Sequence, residues 1–165
     1  MNIIGARIDS RLVHGQVANL WIPKLQIERV IVVDDSISES DIEKSGLRLA
    51  TPTGVKLSVL PIERAINQLK DDRYGNQRLL FVLKSPAIYL KLVEAGIPIK
   101  EINVGNMAKT EGSLKVTNSI NVVESDIQDF EAITKLGTKV ISQMVPGVKE
   151  EDFMTLLDKA KEGGK

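Results

Sequence analysis

The 165-residue chain carries 22 basic and 22 acidic side chains, so its formal charge is zero, and no basic stripe interleaved with aromatics marks a nucleic-acid surface. Apolar residues make up 42% and aromatics 4%; Ile, Val and Leu supply the bulk, which argues against disorder and suits buried parallel strands. The absence of cysteine excludes disulfides, thiolate catalysis and zinc ribbons, and a chain of this length predicts one domain, residues 1–165.

In chain order, NIIGARI (2–8) reads as a first strand and GQVANLW (15–21) as a short helix closed by Pro23. ERVIVVDD (28–35) holds five consecutive apolar residues and predicts a strand buried on both faces. SESDIEKSGLRLA is a helix capped by Ser36 or Ser38, with Ile42, Leu47 and Leu49 at roughly helical spacing. GVKLSVL (54–60) is a third strand, and PIERAINQLK opens a helix with proline in its first turn. RLLFVLK (78–84) is a fourth strand, followed by SPAIYLKLVEAG, a helix with Ser85 as cap, Pro86 in the first turn and Gly96 as terminator. IKEINVGN (99–106) is a fifth strand, and GSLKVTNSINVV predicts one or two short strands. ESDIQDFEAITKLG is a helix ending at Gly137, TKVISQMV a last strand, and KEEDFMTLLDKAKEGG a terminal amphipathic helix.

Strands alternating with helices predict an α/β fold: an open, mainly parallel, doubly wound sheet of about six or seven strands, with helices on both faces. No run approaches the ~20 apolar residues that cross a bilayer. MNIIGARIDSR lacks the basic start and long apolar core of a signal peptide, so a cytosolic protein is expected.

In such sheets the ligand site lies beyond the carboxyl ends of the strands. The loop after the first strand, residues 9–14, falls there and holds the only histidine, His14. Three features set it apart from a histidine that simply makes one loop hydrogen bond. It opens a helix, whose free N–H groups favour an anion. Arg11 can reach the same anion with a forked contact. Gly15 allows a tight turn and close approach to a ligand. Asp9 could hold Arg11 or orient the imidazole. One histidine without cysteine or HExxH spacing is a poor metal site, and no G-x-S-x-G is present. The loop suits a histidine nucleophile acting on a phosphoryl group. Ser10, Gly15, Gln16, Arg7 and Lys84 are further candidates for binding phosphate or a partner. Asp34 and Asp35 are expected to cap the second helix and line the rim, Trp21 to lie in the core, and Met107 and Met144 to serve packing.

The stretch ARIDSRLVHGQVANLW, followed by VIVVDD, strongly resembles component IIB of the mannose/fructose/sorbose family of the bacterial phosphoenolpyruvate:sugar phosphotransferase system. The likeness continues through GVKLSVLPIERA, LKSPAIYLKLVEAGIPIKEINVGNM, TNSINVVESDIQDFEAI and QMVP; where many members read NVGGM, this chain has NVGNM, with Asn106. The resemblance implies that His14 takes a phosphoryl group from the phosphohistidine of a IIA protein. It implies transfer to a sugar of the mannose, fructose, sorbose or amino-sugar class, carried by membrane components IIC and IID. Arg11 would stabilise the phosphate and Asp9 would be a polar partner in the loop. No metal or other cofactor is implied, and the protein would be cytoplasmic and peripherally attached to its transporter.

Two rivals remain. VVDD and LKSP resemble the acidic pair and Lys-Pro of response-regulator receiver domains, but the third strand ends without the phosphoacceptor aspartate. A non-catalytic small-ligand module would place its pocket around Asn103, Gly105 and Asn106.

Overall fold

The computed structural model describes residues 1–164. The strands are β1 (Asn2–Asp9), β2 (Arg29–Val33), β3 (Lys56–Leu60), β4 (Arg78–Leu83), β5 (Glu101–Asn106), β6 (Leu114–Lys115), β7 (Asn121–Val122), β8 (Lys139–Ser142) and β9 (Glu151–Asp152). The α-helices are α1 (Ile22–Leu25), α2 (Asp35–Ser38), α3 (Asp41–Ala50), α4 (Ile62–Lys70), α5 (Pro86–Glu94), α6 (Glu124–Lys135) and α7 (Phe153–Gly163). The main sheet has seven strands in the order β3-β2-β4-β1-β5-β8-β9, and β6 and β7 form a separate antiparallel pair. Every pairing in the main sheet is parallel except β8 with β9. The predicted α/β architecture is present, with helices on both faces.

Strand alternation sorts the core into two layers. Ile31 and Val33 of β2 join Phe81, Leu83, Tyr89, Phe130 and Phe153 on the face covered by α4, α5, α6 and α7. Val30 and Val32 join Leu80, Val82, Val17, Ile22, Ile37 and Leu47 on the other face. These four β2 residues are all fully buried, as their unbroken apolar run requires. The chain winds outward from β1 to β3 with its helices on one face, then returns through β4 to β5 and β8 with its helices on the other. Right-handed crossovers demand that exchange of faces when direction reverses. The reversal leaves β1 and β5 side by side with their connections leading opposite ways, and the carboxyl ends of such a pair are where an α/β sheet places its site.

Several local expectations are corrected. Pro23 does not close the first helix: residues 15–25 are helical throughout, Val17–Trp21 is π-helical, and Pro23 lies just past the point where the π-helix gives way to α1. The second helical stretch is split into α2, capped by Asp34, and α3, capped by Ser40 instead of Ser36 or Ser38. Of its three apolar residues only Leu47 is buried; Ile42 and Leu49 are 86% and 89% exposed on the outer side of α3. The last strand ends at Ser142, and a short antiparallel return, β9, precedes α7. Ser85 stands at the N-cap of α5 without a side-chain capping bond, and Pro86 sits in the first turn as expected.

Candidate functional site at the ends of β1 and β5

β1 ends with Arg7 and Asp9 on the same side of the sheet, two residues apart, while Ile8 between them is buried in the opposite core layer. Asp9 is fully buried and receives donors on both oxygens. The backbone N–H and Nε of Arg11 donate to Oδ1, each at 3.0 Å. The Nη2 of Arg11 donates to Oδ2 at 3.1 Å, the Nη2 of Arg7 at 3.4 Å, and His14 Nε2 lies 2.9 Å from the same oxygen. Burial alone would raise the pKa of Asp9, but the bonds from Arg11 and His14 outweigh it and hold the carboxyl below the usual carboxylate value. Asp9 is therefore an anion within a ring of donors.

An ionised carboxylate only accepts, so the imidazole nitrogen facing it carries the proton. That fixes the tautomer: Nε2–H points to Asp9, and Nδ1 keeps its lone pair. The backbone N–H of Gln16 faces Nδ1 at 3.4 Å, a long and weak contact. His14 is 19% exposed, so part of the ring is open to an approaching group.

The loop between Asp9 and the helix is anchored from below. Leu12 and Val13 are buried in the second core layer, and the N–H of Leu12 donates to Asp9 O, closing a turn. Leu12 takes a left-handed φ of 59°, uncommon for a residue with a side chain. The tight turn belongs to Leu12 and not, as the sequence suggested, to Gly15, which is helical. A Cβ on Gly15 would meet nothing nearer than Asn19 Nδ2, at 3.9 Å. What Gly15 contributes is open space beside His14. The carbonyl of His14 accepts from Ala18 N–H, so His14 caps the helix.

Arg11 has 43% of its side chain exposed. Its Nε and Nη2 hold Asp9, Nη2 also donates to Gln16 Oε1 at 3.1 Å, and Nη1 is free of internal partners among the described residues. Ser10 bonds Asn106 twice: its N–H donates to Asn106 O, and its hydroxyl donates to Asn106 Oδ1. Asn106, the residue at which this chain departs from NVGGM, thus ties the end of β5 to the histidine loop.

Arg7 is 2% exposed and cannot touch a phosphate or a partner directly. It works from beneath: its Nη atoms donate to Gln143 O and Met144 O at 3.2 and 3.1 Å, as well as to Asp9. Its guanidinium occupies the place a side chain on Gly105 would fill, 2.1 Å from a Cβ built there, and lies over the Trp21 ring at 5.5 Å. Burial lowers its pKa, and the neighbouring Asp9 works against that. Trp21 is buried as expected, with its Nε1–H donating to Met144 O at 3.1 Å. Met107 is buried packing, whereas the Met144 side chain is 37% exposed and its carbonyl is the working part.

Lys84 makes no hydrogen bond or ion pair with this cluster. Asp34 Oδ1 accepts from Ile37 N–H, capping α2, and Asp35 Oδ1 accepts from Ile62 N–H at the start of α4. Among the described residues no three His, Asp or Glu side chains gather as metal ligands. The space around Gly105 is filled by Arg7, and Asn103 is bonded to the backbone of Gln143 on both sides. One oxygen of each aspartate, and the space at Gly105, are therefore committed to internal contacts. The residues missed in the sequence are Gln143 and Met144, whose carbonyls have no sequence signal.

The family model described as the sorbose-subfamily IIB component of the PTS matches residues 3–164. This chain belongs to that family. The fructose-specific EIIB component of Bacillus subtilis (strain 168) is 34% identical to this IIB chain over 157 residues, 95% of the chain and 96% of the relative. The mannose-specific EIIAB component of Escherichia coli (strain K12) is 34% identical over 161 residues; the match covers 95% of the chain and 50% of that protein. The crystal structure of the IIBSor domain of the sorbose permease from Klebsiella pneumoniae superposes with a TM-score of 0.92 at 29% identity, covering 96% of this chain and 98% of that one. The IIB chain is thus a component of the sugar phosphotransferase system. No helix among the described residues is long and apolar enough to cross a membrane.

Proposed function

We propose that this chain, as a single IIB domain spanning 1–165, carries a phosphoryl group on His14 Nδ1. The donor is the phosphohistidine of a IIA protein, and the acceptor is a hydroxyl of a sugar held by membrane components IIC and IID. The protein would work in the cytoplasm, docked on those components. The observation that carries this reading is the contact between His14 Nε2 and the anionic Asp9, which leaves the Nδ1 lone pair available at a half-open mouth beside Arg11.

In the first step the donor's P–N bond breaks as the bond from phosphorus to Nδ1 forms. The phosphorylated ring keeps its proton on Nε2, facing Asp9, and its positive charge is held there. A cationic ring is the better leaving group, so the same contact assists the second step. In that step the sugar oxygen attacks phosphorus, the P–Nδ1 bond breaks, the hydroxyl proton is released and Nδ1 regains its lone pair. The transition state is loose, with charge on the equatorial oxygens. The free Nη1 of Arg11 and the N–H groups at the helix start would stabilise that charge. Gln16, bonded to Arg11, and Ser10, bonded to Asn106, hold the loop in shape.

The test is phosphoryl transfer from a phosphorylated IIA protein of this family to the purified chain. The bound phosphate should be stable in alkali and lost in acid. His14→Gln should abolish acceptance with the circular dichroism spectrum unchanged, and Arg11→Gln should slow transfer by about 10²-fold. Normal acceptance by His14→Gln would reject the assignment.

A further inference from the structure

We propose that a hollow beside β3, about 14 Å across the sheet from β1, three strand spacings away, binds the phosphate group of a small phosphate monoester. The hollow, of about 560 Å³, lies between β3, α4 and the loop that leads into β4. Three arginines line it: Arg29 from the start of β2, Arg64 from α4 and Arg73 from the loop, and no aspartate or glutamate does. None of the three takes part in an ion pair among the described residues. Arg64 also borders a neighbouring hollow with Asp35, Glu39 and Glu63, yet it pairs with none of them. In a chain of zero formal charge, three guanidiniums without a carboxylate partner on one concavity are a local excess of positive charge.

Three polar side chains between them, Ser58, Gln68 and Gln77, sharpen the reading, because each accepts an internal bond and keeps its donor. Arg29 Nε donates to Gln77 Oε1 at 2.8 Å, leaving the Gln77 NH₂ free. Arg29 Nη1 donates to Ser58 Oγ at 2.8 Å, leaving the Ser58 O–H. Tyr74 O–H donates to Gln68 Oε1, leaving the Gln68 NH₂. The lining thus offers donors and positive charge, the complement of an oxyanion rich in lone pairs. Arg29 is fixed in place by those two bonds and by stacking over the Tyr74 ring at 4.8 Å, so part of the ordering cost is already met. Three positive charges favour a dianion over a carboxylate, and the volume exceeds what one phosphate group fills, which leaves space for an organic body.

The proposal is independent of His14 and is tested on the intact chain. Amide chemical shifts would be followed by NMR while inorganic phosphate or glycerol 3-phosphate is added, with glycerol and sodium chloride as controls. Saturable shifts at Ser58, Gln68, Tyr74 and Gln77 are expected with both phosphates, and with neither control. The double variant Arg64→Gln/Arg73→Gln should weaken binding by roughly tenfold or more while its spectrum elsewhere and its phosphoryl acceptance stay as in the parent chain. His14→Gln should leave the shifts at the hollow unchanged. Shifts confined to residues 9–16, shifts that persist undiminished in the double variant, or none that saturate would overturn it.

Discussion

Asp9 Oδ2 and His14 Nε2 stand 2.9 Å apart, with the carboxylate fully buried and the imidazole half-buried above it. The carboxylate is shared among five donors from three side chains and one backbone amide, so the ring inherits its orientation from a residue that cannot move. Its removal affects chemistry and stability together.

Asp9→Asn should lower stability by about 3 kcal/mol or more, because Arg7 stays buried with its charge partner gone. Urea unfolding monitored by circular dichroism measures this. Phosphoryl acceptance should fall further than the population of folded protein does, since an amide does not enforce the Nε2–H tautomer. Parallel loss of folding and acceptance would reduce Asp9 to a purely structural part.

The pKa of Asp9 is lowered on folding, so its ionised form stabilises the native state. That contribution is complete above the unfolded value of about 3.9 and disappears as pH falls through the lower folded value. The stability difference between the parent chain and Asp9→Asn should be flat from about pH 6 to 8 and shrink below about pH 4. A difference that stays constant down to pH 3 would contradict the depressed value.

Gly105→Ala sets a methyl group against the Arg7 guanidinium, 2.1 Å from its Cζ. Arg7 is enclosed by Trp21 and the Gln143 and Met144 carbonyls, so it has little room to yield. A loss of roughly 1–3 kcal/mol is expected. In an Arg7→Ala background the same change should cost less, and thermal unfolding of the four chains of that cycle tests the coupling.

Tyr89 lies fully buried under the sheet, and its hydroxyl donates to Arg7 O at 2.8 Å and Phe81 O at 3.2 Å. Burial also holds its pKa well above that of an ordinary tyrosine. Tyr89→Phe should cost about 1–2 kcal/mol while leaving phosphoryl acceptance unchanged, because the lost bond lies on the far side of β1 from Asp9. Unfolding midpoints and transfer rates measured side by side distinguish the two effects.

The histidine loop was readable because its members are neighbours in sequence: Asp9, Arg11, His14 and Gln16 span eight residues, and a strand-to-helix junction puts them at one edge. The strands were readable for a similar reason, since unbroken runs such as VIVV have to be buried on both sides. What escaped was set by distant partners. Arg7 meets Gln143 and Met144 across 136 and 137 residues, through backbone oxygens that every residue possesses. The exposure of Ile42 and Leu49 escaped because apolar spacing marks a helix face without saying which face meets the sheet. Gly15 misled for another reason: a glycine beside a loop suggests a turn, but the left-handed residue is Leu12, held in that strained backbone by burial of its own side chain.

The reversal of winding leaves β1 hydrogen-bonded along both edges, to β4 and to β5, in the middle of the sheet. A histidine rooted five residues beyond such a strand has no hinge on which to swing from a donor to an acceptor. Any relay it performs would have to proceed by exchange of whole neighbours at one stationary post, with turnover limited by arrival and departure.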